Sequence, residues 1–284
     1  MGRLTFLAAA LLFIHAAGAY AQEARLLNFA LFEAAQKNQT EEVIRLLGEG
    51  ASVAARNRFG NTALLLAARS GRVDTVKLLL DAGSDIDRRN LAGSTALLRA
   101  TEASRGKTVK LLIAAGADVN LFNSKNLSAL AAAAYNGDED IVALLLDTGA
   151  EPGVIDNSDK SAIVYAAGKG FAGIVGLLLE AGADVNKRYG NDLTALMWAS
   201  GYSNDVPSRD GAETVRLLIE SGAEVDLRDN RGWTALMVAA EMGHAAVADL
   251  LIEAGAAVDL KDKDGKTARD LARGAGNTEL LQTK

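Results

Sequence analysis

Two short stretches of the sequence have the residue types of ligand-binding loops. Ser104–Thr108 ends in Gly-Lys-Thr, as a phosphate-binding loop does, and Asp262–Gly265 alternates acidic residues in the manner of a calcium loop. A phosphate loop needs a glycine five residues before its Gly-Lys pair, where this chain has Thr101. In the calcium loop, Leu260 and Leu271 would occupy the first and last ligand positions, which require acids. Neither stretch therefore predicts a ligand site.

Cysteine and histidine, which supply most metal ligands and many catalytic groups, are nearly absent. The chain has no cysteine and two histidines, and His15 falls in an N-terminal segment that resembles a signal peptide. No Ser–His–Asp triad can then be drawn without His244, and a histidine-rich metal site is excluded. Carboxylates such as Asp118, Asp184 and Glu224 recur at one place in a repeated pattern, which favours a structural or solvated role. We predict a non-catalytic protein with no metal and no cofactor.

Two independent markers recur along the chain at a constant interval. One is Thr-Ala-Leu or a close variant, and the other is a glycine that follows a leucine-rich run. Both markers step by 33 residues, except for one step of 40 at the same repeat. The Thr-Ala-Leu variants begin at Phe29, Thr62, Thr95, Ser128, Ser161, Thr194, Thr234 and Thr267. The glycines are Gly50, Gly83, Gly116, Gly149, Gly182, Gly222 and Gly255. A capping residue, apolar residues at helical spacing and a terminal glycine predict two short helices in each period.

The period and the unit resemble the ankyrin repeat, in which a β-turn precedes two antiparallel helices. Gly232–His244 is the closest match, and the resemblance covers residues 28–284. It implies an all-α solenoid of helix–turn–helix units joined by β-turn or hairpin loops, and a role in binding proteins. The family's Thr-Pro-Leu-His motif has an apolar residue in place of histidine here, at Leu65, Leu98, Ala131, Val164 and Met237. This departure predicts that apolar packing joins neighbouring repeats.

The repeat pattern divides the chain after its N-terminal segment into seven repeats and a shortened cap at 264–284. The cap has Arg269 and Asp270 where other repeats have core residues, as suits a terminal repeat with no outer neighbour. The sixth repeat carries seven extra residues within Gly201–Asp210, which predict a surface loop that is either functional or merely tolerated. In the first repeat we expect five residues to pack in the core, namely Leu31, Val43, Ile44, Leu46 and Leu47.

The N-terminal segment differs in composition from the repeats. Arg3 provides a positive charge near the N-terminus, and an apolar run follows at Leu4–Ile14. Ala19-Tyr20-Ala21 then places small residues at the positions that a signal peptidase recognises. We predict a signal peptide of residues 1–21, cleaved after Ala21, and export to the periplasm or the cell exterior. The alternative is an uncleaved membrane anchor, because the 18 residues that end at Ala21 are just long enough to span a bilayer.

The charge balance argues against nucleic acid as a partner. The whole chain has a formal net charge of −6, and loss of Arg3 with the signal peptide makes it −7, from 29 basic and 36 acidic groups. The excess of acids lies in residues 151–284, and no basic stripe is present. A chain of this kind has little attraction for a phosphate backbone. We expect a monomer with a protein partner.

The ankyrin resemblance implies that turn tips and the ends of the first helices line a concave binding face. Aromatic residues and arginine supply most of the binding energy at protein interfaces. The candidate partner-binding residues are Arg58, Phe59, Arg69, Tyr135, Tyr202, Arg231, Trp233 and Met242. Lys125 and Lys160 fall on the same predicted face, whereas Trp198 lies deeper in its helix and is expected to pack. We predict an exported, non-catalytic adaptor. The alternatives are an effector that binds host proteins and an enzyme or small-ligand receptor built on the repeats.

Overall fold

The Thr-Ala-Leu segments form helices in a computed structural model of the chain, which describes residues 22–201, 211–277 and 279. A side-chain cap starts most of the first helices. In Thr62, for example, Oγ1 accepts the backbone N–H of Leu65 at 3.4 Å. The same contact is made by Thr95, Ser128, Thr194, Thr234 and Thr267. The prediction of capped helices at these positions is confirmed.

The helices belong to two compact units, which meet in sequence between Asp118 and Val119. In unit 1 the described helices are α1 (helical residues 22–37), α2 (Thr40–Gly48), α3 (Ala63–Ser70), α4 (Val73–Asp81), α5 (Ala96–Glu102) and α6 (Gly106–Ala114). Within this unit α3 packs on α5, while α2, α4 and α6 form the second row.

Unit 2 has the same alternation of a first and a second helix. Its described helices are α7 (Ala129–Asn136), α8 (Glu139–Asp147), α9 (Ala162–Gly168), α10 (Ala172–Glu180), α11 (Ala195–Gly201), α12 (Gly211–Glu220), α13 (Ala235–Met242), α14 (Ala245–Glu253) and α15 (Ala268–Gly274). The row α7, α9, α11, α13 and α15 packs side by side, and α8, α10, α12 and α14 form the row behind it. A single 3-10 turn, Gly190–Asp192, precedes α11.

No described element is a β-strand, and the two isolated β-bridges, Phe122 with Ser128 and Tyr189 with Leu193, lie in turns. The fold is therefore all-helical, as predicted. Helices this short are marginal in isolation, so they depend on packing. The residues at the family's histidine position are all buried, as the apolar substitutions predicted: Leu65, Leu98, Ala131, Val164 and Met237.

The glycines of the second marker end the second helices in the left-handed conformation. Gly83, for example, has a φ of +86°, which only glycine adopts without a steric penalty. Its N–H bonds to the carbonyl of Leu80 at 2.9 Å, and the N–H of Ser84 bonds to the carbonyl of Leu79 at 3.0 Å. The chain can therefore leave each second helix sharply and enter the next turn.

One packing prediction for the first repeat is wrong. Val43 and Leu46 are buried, but Ile44 is 58% exposed, and Leu26 and Phe29 of α1 are exposed with it. On a helix, neighbouring residues point in directions about 100° apart, so Ile44 does not share the side on which Val43 is buried. The sequence pattern marks apolar residues but not which of them has a neighbouring helix.

The last helix has a polar outer side. Arg269 and Asp270 are exposed, while Leu271 and Ala272 are buried in the row that α15 shares with α13. A reciprocal capping box joins Thr267 and Asp270 at its start.

Candidate partner-binding site

The turn before each first helix has a fixed geometry that positions the side chains around it. One oxygen of Asp156 accepts the backbone N–H groups of Ser158 at 2.8 Å and Lys160 at 3.2 Å. The same double contact is made by Asn57, Asn90, Asn123, Asp229 and Asp262. The residue just before the helix cap is thus held in place by the hydrogen bond from its backbone N–H to the Asp or Asn side chain of the turn.

Three of the predicted binding residues lie in unit 1 and are exposed, as predicted. Phe59 is 57% exposed, and the guanidinium carbon of Arg58 lies 4.7 Å from the centre of its ring. Arg69 lies in the last turn of α3, where its carbonyl oxygen accepts a hydrogen bond from Nε of Arg105 at 3.2 Å. These residues offer isolated contacts rather than a continuous aromatic surface.

The other candidates belong to unit 2. Tyr135, at the end of α7, is 51% exposed, and Met242, at the end of α13, is 37% exposed. Met242 lies against α11, because a Cβ added to Gly201 would come within 2.8 Å of its Cγ. Tyr202 and most of the inserted loop lie outside the described residues.

The expectation that Trp233 is exposed is wrong. Its side chain is only 9% exposed, and its Nε1 donates a hydrogen bond to Oδ2 of Asp262 in the following turn at 3.0 Å. The guanidinium of Arg231 covers the ring at 3.9 Å and pairs with Asp229 at 2.8 Å. The ring lies between two turns because the residue before the helix cap points towards the next repeat. Trp233 is therefore a packing residue, and Arg231 remains half-exposed.

Unit 2 also contains a continuous cluster that we call the aromatic belt, formed by Tyr135, Tyr165, Trp198, Lys160 and Lys169. The rings of Tyr135 and Tyr165 meet edge to face with their centres 5.5 Å apart. Nζ of Lys169 lies 4.6 Å from the ring centre of Tyr135. Nζ of Lys160 lies between the other two rings, 5.6 Å from the centre of Tyr165 and 4.6 Å from that of Trp198. Each contact is within cation–π range.

Three adjacent first helices bring the belt together. Tyr135 comes from α7, Tyr165 from α9 and Trp198 from α11, and the last two residues occupy the same position in successive repeats. The indole packs against Gly168, because a Cβ on this residue would be in van der Waals contact with its Cε3 at 3.4 Å. All five belt side chains are at least partly exposed. Trp198 is partly buried, as expected, and the rest of its ring contributes to this surface.

A buried carboxylate anchors the middle of the belt. The hydroxyl groups of Tyr165 and Ser158 both donate to the side chain of Asp156. Burial alone would raise the pKa of Asp156, but the hydrogen bonds from Ser158 and Tyr165 and from backbone N–H groups together lower it. Burial, followed by the contact with Asp156, raises the pKa of Tyr165 to about 12. Asp156 is therefore ionised and Tyr165 is neutral at physiological pH.

Tyr165 is expected to titrate well above an ordinary tyrosine. Because its folded pKa is raised, the neutral hydroxyl stabilises the fold fully below about pH 10, and this stabilisation is lost as the pH rises towards 12. Ultraviolet titration of tyrosinate should give the same curve for the wild type and Tyr165→Phe between about pH 8 and pH 11. A wild-type curve with one additional tyrosine ionising near pH 10 would contradict this assignment. In Asp156→Asn, the pKa of Tyr165 should fall part of the way towards its ordinary value, because burial remains.

We predicted Tyr135 and Lys160 on the binding face, but we did not predict the ring and lysine contacts that Tyr165, Trp198 and Lys169 make beside them. A column-by-column comparison of the repeats holds the missing signal. The fourth residue after the helix cap reads Leu66, Arg99, Ala132, Tyr165, Trp198 and Val238, with large aromatic residues in two successive repeats only.

The described residues contain no group of three or more His, Cys, Asp or Glu side chains that could hold a metal ion. None of the described helices has the length and apolar character needed to cross a membrane.

Comparison with known protein families supports the assignment of the helix pairs to a repeat fold. The family model described as ankyrin repeats (3 copies) matches residues 12–90, 31–123, 130–207 and 206–283. The chain belongs to the ankyrin repeat family. Members of this family generally mediate protein–protein interaction and are typically non-catalytic scaffolds. A search of curated proteins finds no match for the chain.

Proposed function

We propose that this ankyrin-repeat protein is an exported, monomeric adaptor that binds another protein through the aromatic belt and catalyses no reaction. The observation that carries the proposal is the belt itself. Tyrosine and tryptophan supply large contact areas at a low cost in side-chain entropy, and they are enriched among the residues that dominate binding energy. In a chain with 5% aromatic residues, three rings on adjacent helices form a concentrated surface for this purpose.

Export is the part of the proposal that concerns location. The positive start, the apolar run and the small residues before Gln22 support a signal peptide cleaved after Ala21. The absence of cysteine means that stability outside the reducing cytosol would depend on repeat packing alone.

The test is capture of the tagged chain from the cells that make it, after crosslinking in the cells. Mass spectrometry should find an N-terminal peptide that begins at Gln22 and one strongly enriched protein. The double variant Tyr135→Ala and Trp198→Ala should lose that protein, by at least about tenfold, because both rings are partly exposed and their removal costs contact area. Leu91→Ala serves as the matched control, since Leu91 is an exposed apolar residue outside the belt.

Equal recovery of the partner with wild type and the belt variant would overturn the binding proposal. An uncleaved N-terminus would overturn the export proposal and leave the belt proposal standing. Circular dichroism of both variants should match the wild type, so that a loss of binding is not a loss of fold.

A further inference from the structure

We propose that the partner presents a short acidic segment to the belt, with two carboxylates that contact Lys160 and Lys169 and an apolar side chain between them on Tyr135 and Tyr165. The proposal rests on the proposed function and specifies the chemistry of the partner. It follows from the state of the two lysines, the contacts of the buried Asp156 and the length of the belt.

The two lysines have positive charges that no acid neutralises among the described residues. The ion pairs in that part of the chain include neither Lys160 nor Lys169. Their ammonium groups lie instead over aromatic rings, at 4.6 Å for the closest ring in each case. A ring attracts a cation through its quadrupole but leaves the net charge in place. Each ammonium group retains N–H donors for a carboxylate.

Asp159, the direct neighbour of Lys160 in the sequence, forms no ion pair with it, and the buried acid of the same turn is already engaged. Asp156 is buried, and its oxygens accept hydrogen bonds from Tyr165, from Ser158 and from the N–H of Lys160 itself. This carboxylate orders the turn and the tyrosine. It does not form an ion pair with the lysine ammonium, so the charge of Lys160 remains available to a partner.

Ordered lysines lower the cost of binding an anion. A flexible lysine loses side-chain entropy when it is fixed, which makes most surface ion pairs weak. Lys160 and Lys169 are half-buried and are held by the rings in the free protein. Part of the entropy loss therefore precedes binding, and a carboxylate gains a charge-assisted hydrogen bond in surroundings drier than the open surface.

The spacing of the belt sets the form of the segment. Ring contacts of 4.6, 5.5 and 5.6 Å lead from the ammonium group of Lys169 through Tyr135 and Tyr165 to that of Lys160. An extended peptide advances about 3.4 Å per residue, so at most about five residues are needed between the two ammonium groups, because the straight distance cannot exceed the path through the rings. Along the belt, two lysines lie on either side of two tyrosine rings. A segment with an acid at each end and an apolar residue between them has the complementary order. Because the second half of the chain is otherwise acidic, a uniformly acidic partner would be repelled around the belt.

Selection from a library of random peptides tests the inference without knowledge of the partner. The probe is a phage library of about twelve-residue peptides, longer than the belt requires, selected on the full chain. Selected peptides should carry Asp or Glu on either side of an apolar residue. Replacing these acids by Asn or Gln should weaken binding by about tenfold or more, and so should Lys160→Gln with Lys169→Gln. Lys110→Gln, a change at an exposed lysine of α6, should have no effect.

The outcomes separate this inference from the proposed function. Peptides that bind the belt but lack acids, or that keep their affinity for the double lysine variant, overturn the acidic segment while the belt remains a binding site. Peptides that bind the Tyr135→Ala, Trp198→Ala variant as well as the wild type overturn both proposals. If the library yields no peptide that binds the chain, the acidic segment is also overturned.

Discussion

Replacement of Trp233 by alanine is expected to destabilise the C-terminal repeats by about 3–5 kcal/mol, the usual cost of removing a buried tryptophan. The indole is 9% exposed, donates a hydrogen bond to Asp262 and lies under the guanidinium of Arg231. Its loss would leave a cavity between two successive turns. Chemical denaturation measures the change, and hydrogen exchange in α13 to α15 locates it. An unfolding midpoint equal to that of the wild type would contradict the packing role.

Two further variants separate the contributions of the hydrogen bond and of ring burial to the stability lost in Trp233→Ala. Trp233→Phe keeps an aromatic ring but removes the hydrogen bond to Asp262, so it should cost less, about 1–2 kcal/mol. Trp198→Ala removes the other tryptophan of the chain, which is partly exposed, and should destabilise less than Trp233→Ala while it weakens partner binding. Of the two tryptophans, Trp233 is buried against our expectation, whereas Trp198 is partly buried as expected.

Deletion of Asp264–Lys284 is the second change with a large expected effect. It removes α15 and exposes the side of α13 that packs against Leu271 and Ala272. A buried leucine contributes about 1.5–3 kcal/mol, and its apolar partners lose cover as well, so we expect a total loss of about 3 kcal/mol. Thermal unfolding should start at a lower temperature, binding of a hydrophobic dye should rise, and far-ultraviolet circular dichroism should retain its helical form.

The deletion keeps Asp262, the acceptor for the indole of Trp233, but removes the backbone N–H groups of Asp264 and Lys266 that hold its carboxylate, so part of the loss arises in this turn. Arg269→Ala is the control for the surface of the cap, since Arg269 is exposed and its replacement should change stability by less than about 0.5 kcal/mol. If the truncated chain unfolds at the same temperature as the full chain, α15 does not act as a cap.

Local patterns in the sequence were sufficient to predict the helices and the residues at which they begin and end. Thr62 and its equivalents cap the first helices with contacts inside one turn, and Gly83 adopts its left-handed conformation because of its own lack of a side chain. These caps and helix ends depend on residues within a few positions of each other, so they can be predicted from a single sequence. The burial of Leu98 and Val164 at the family's histidine position follows from the same pattern.

Contacts between repeats could not be predicted in the same way. Ile44 is exposed and Trp233 is buried because the outcome depends on which surface a neighbouring turn or helix presents. The belt is a further case, since Lys160 lies between rings of two different helices, α9 and α11. Residues that are 33 positions apart in the sequence have to be compared before such a contact becomes visible.

Site-specific photocrosslinking in cells tests directly whether the belt is the surface that binds the partner. A photoreactive phenylalanine analogue would replace Tyr135 in the belt, or Phe59 in unit 1, where a similar fraction of the side chain is exposed. We expect a covalent adduct with one protein from position 135 and none of comparable yield from position 59. An adduct from position 59 alone would place the binding surface in unit 1 and overturn binding by the belt.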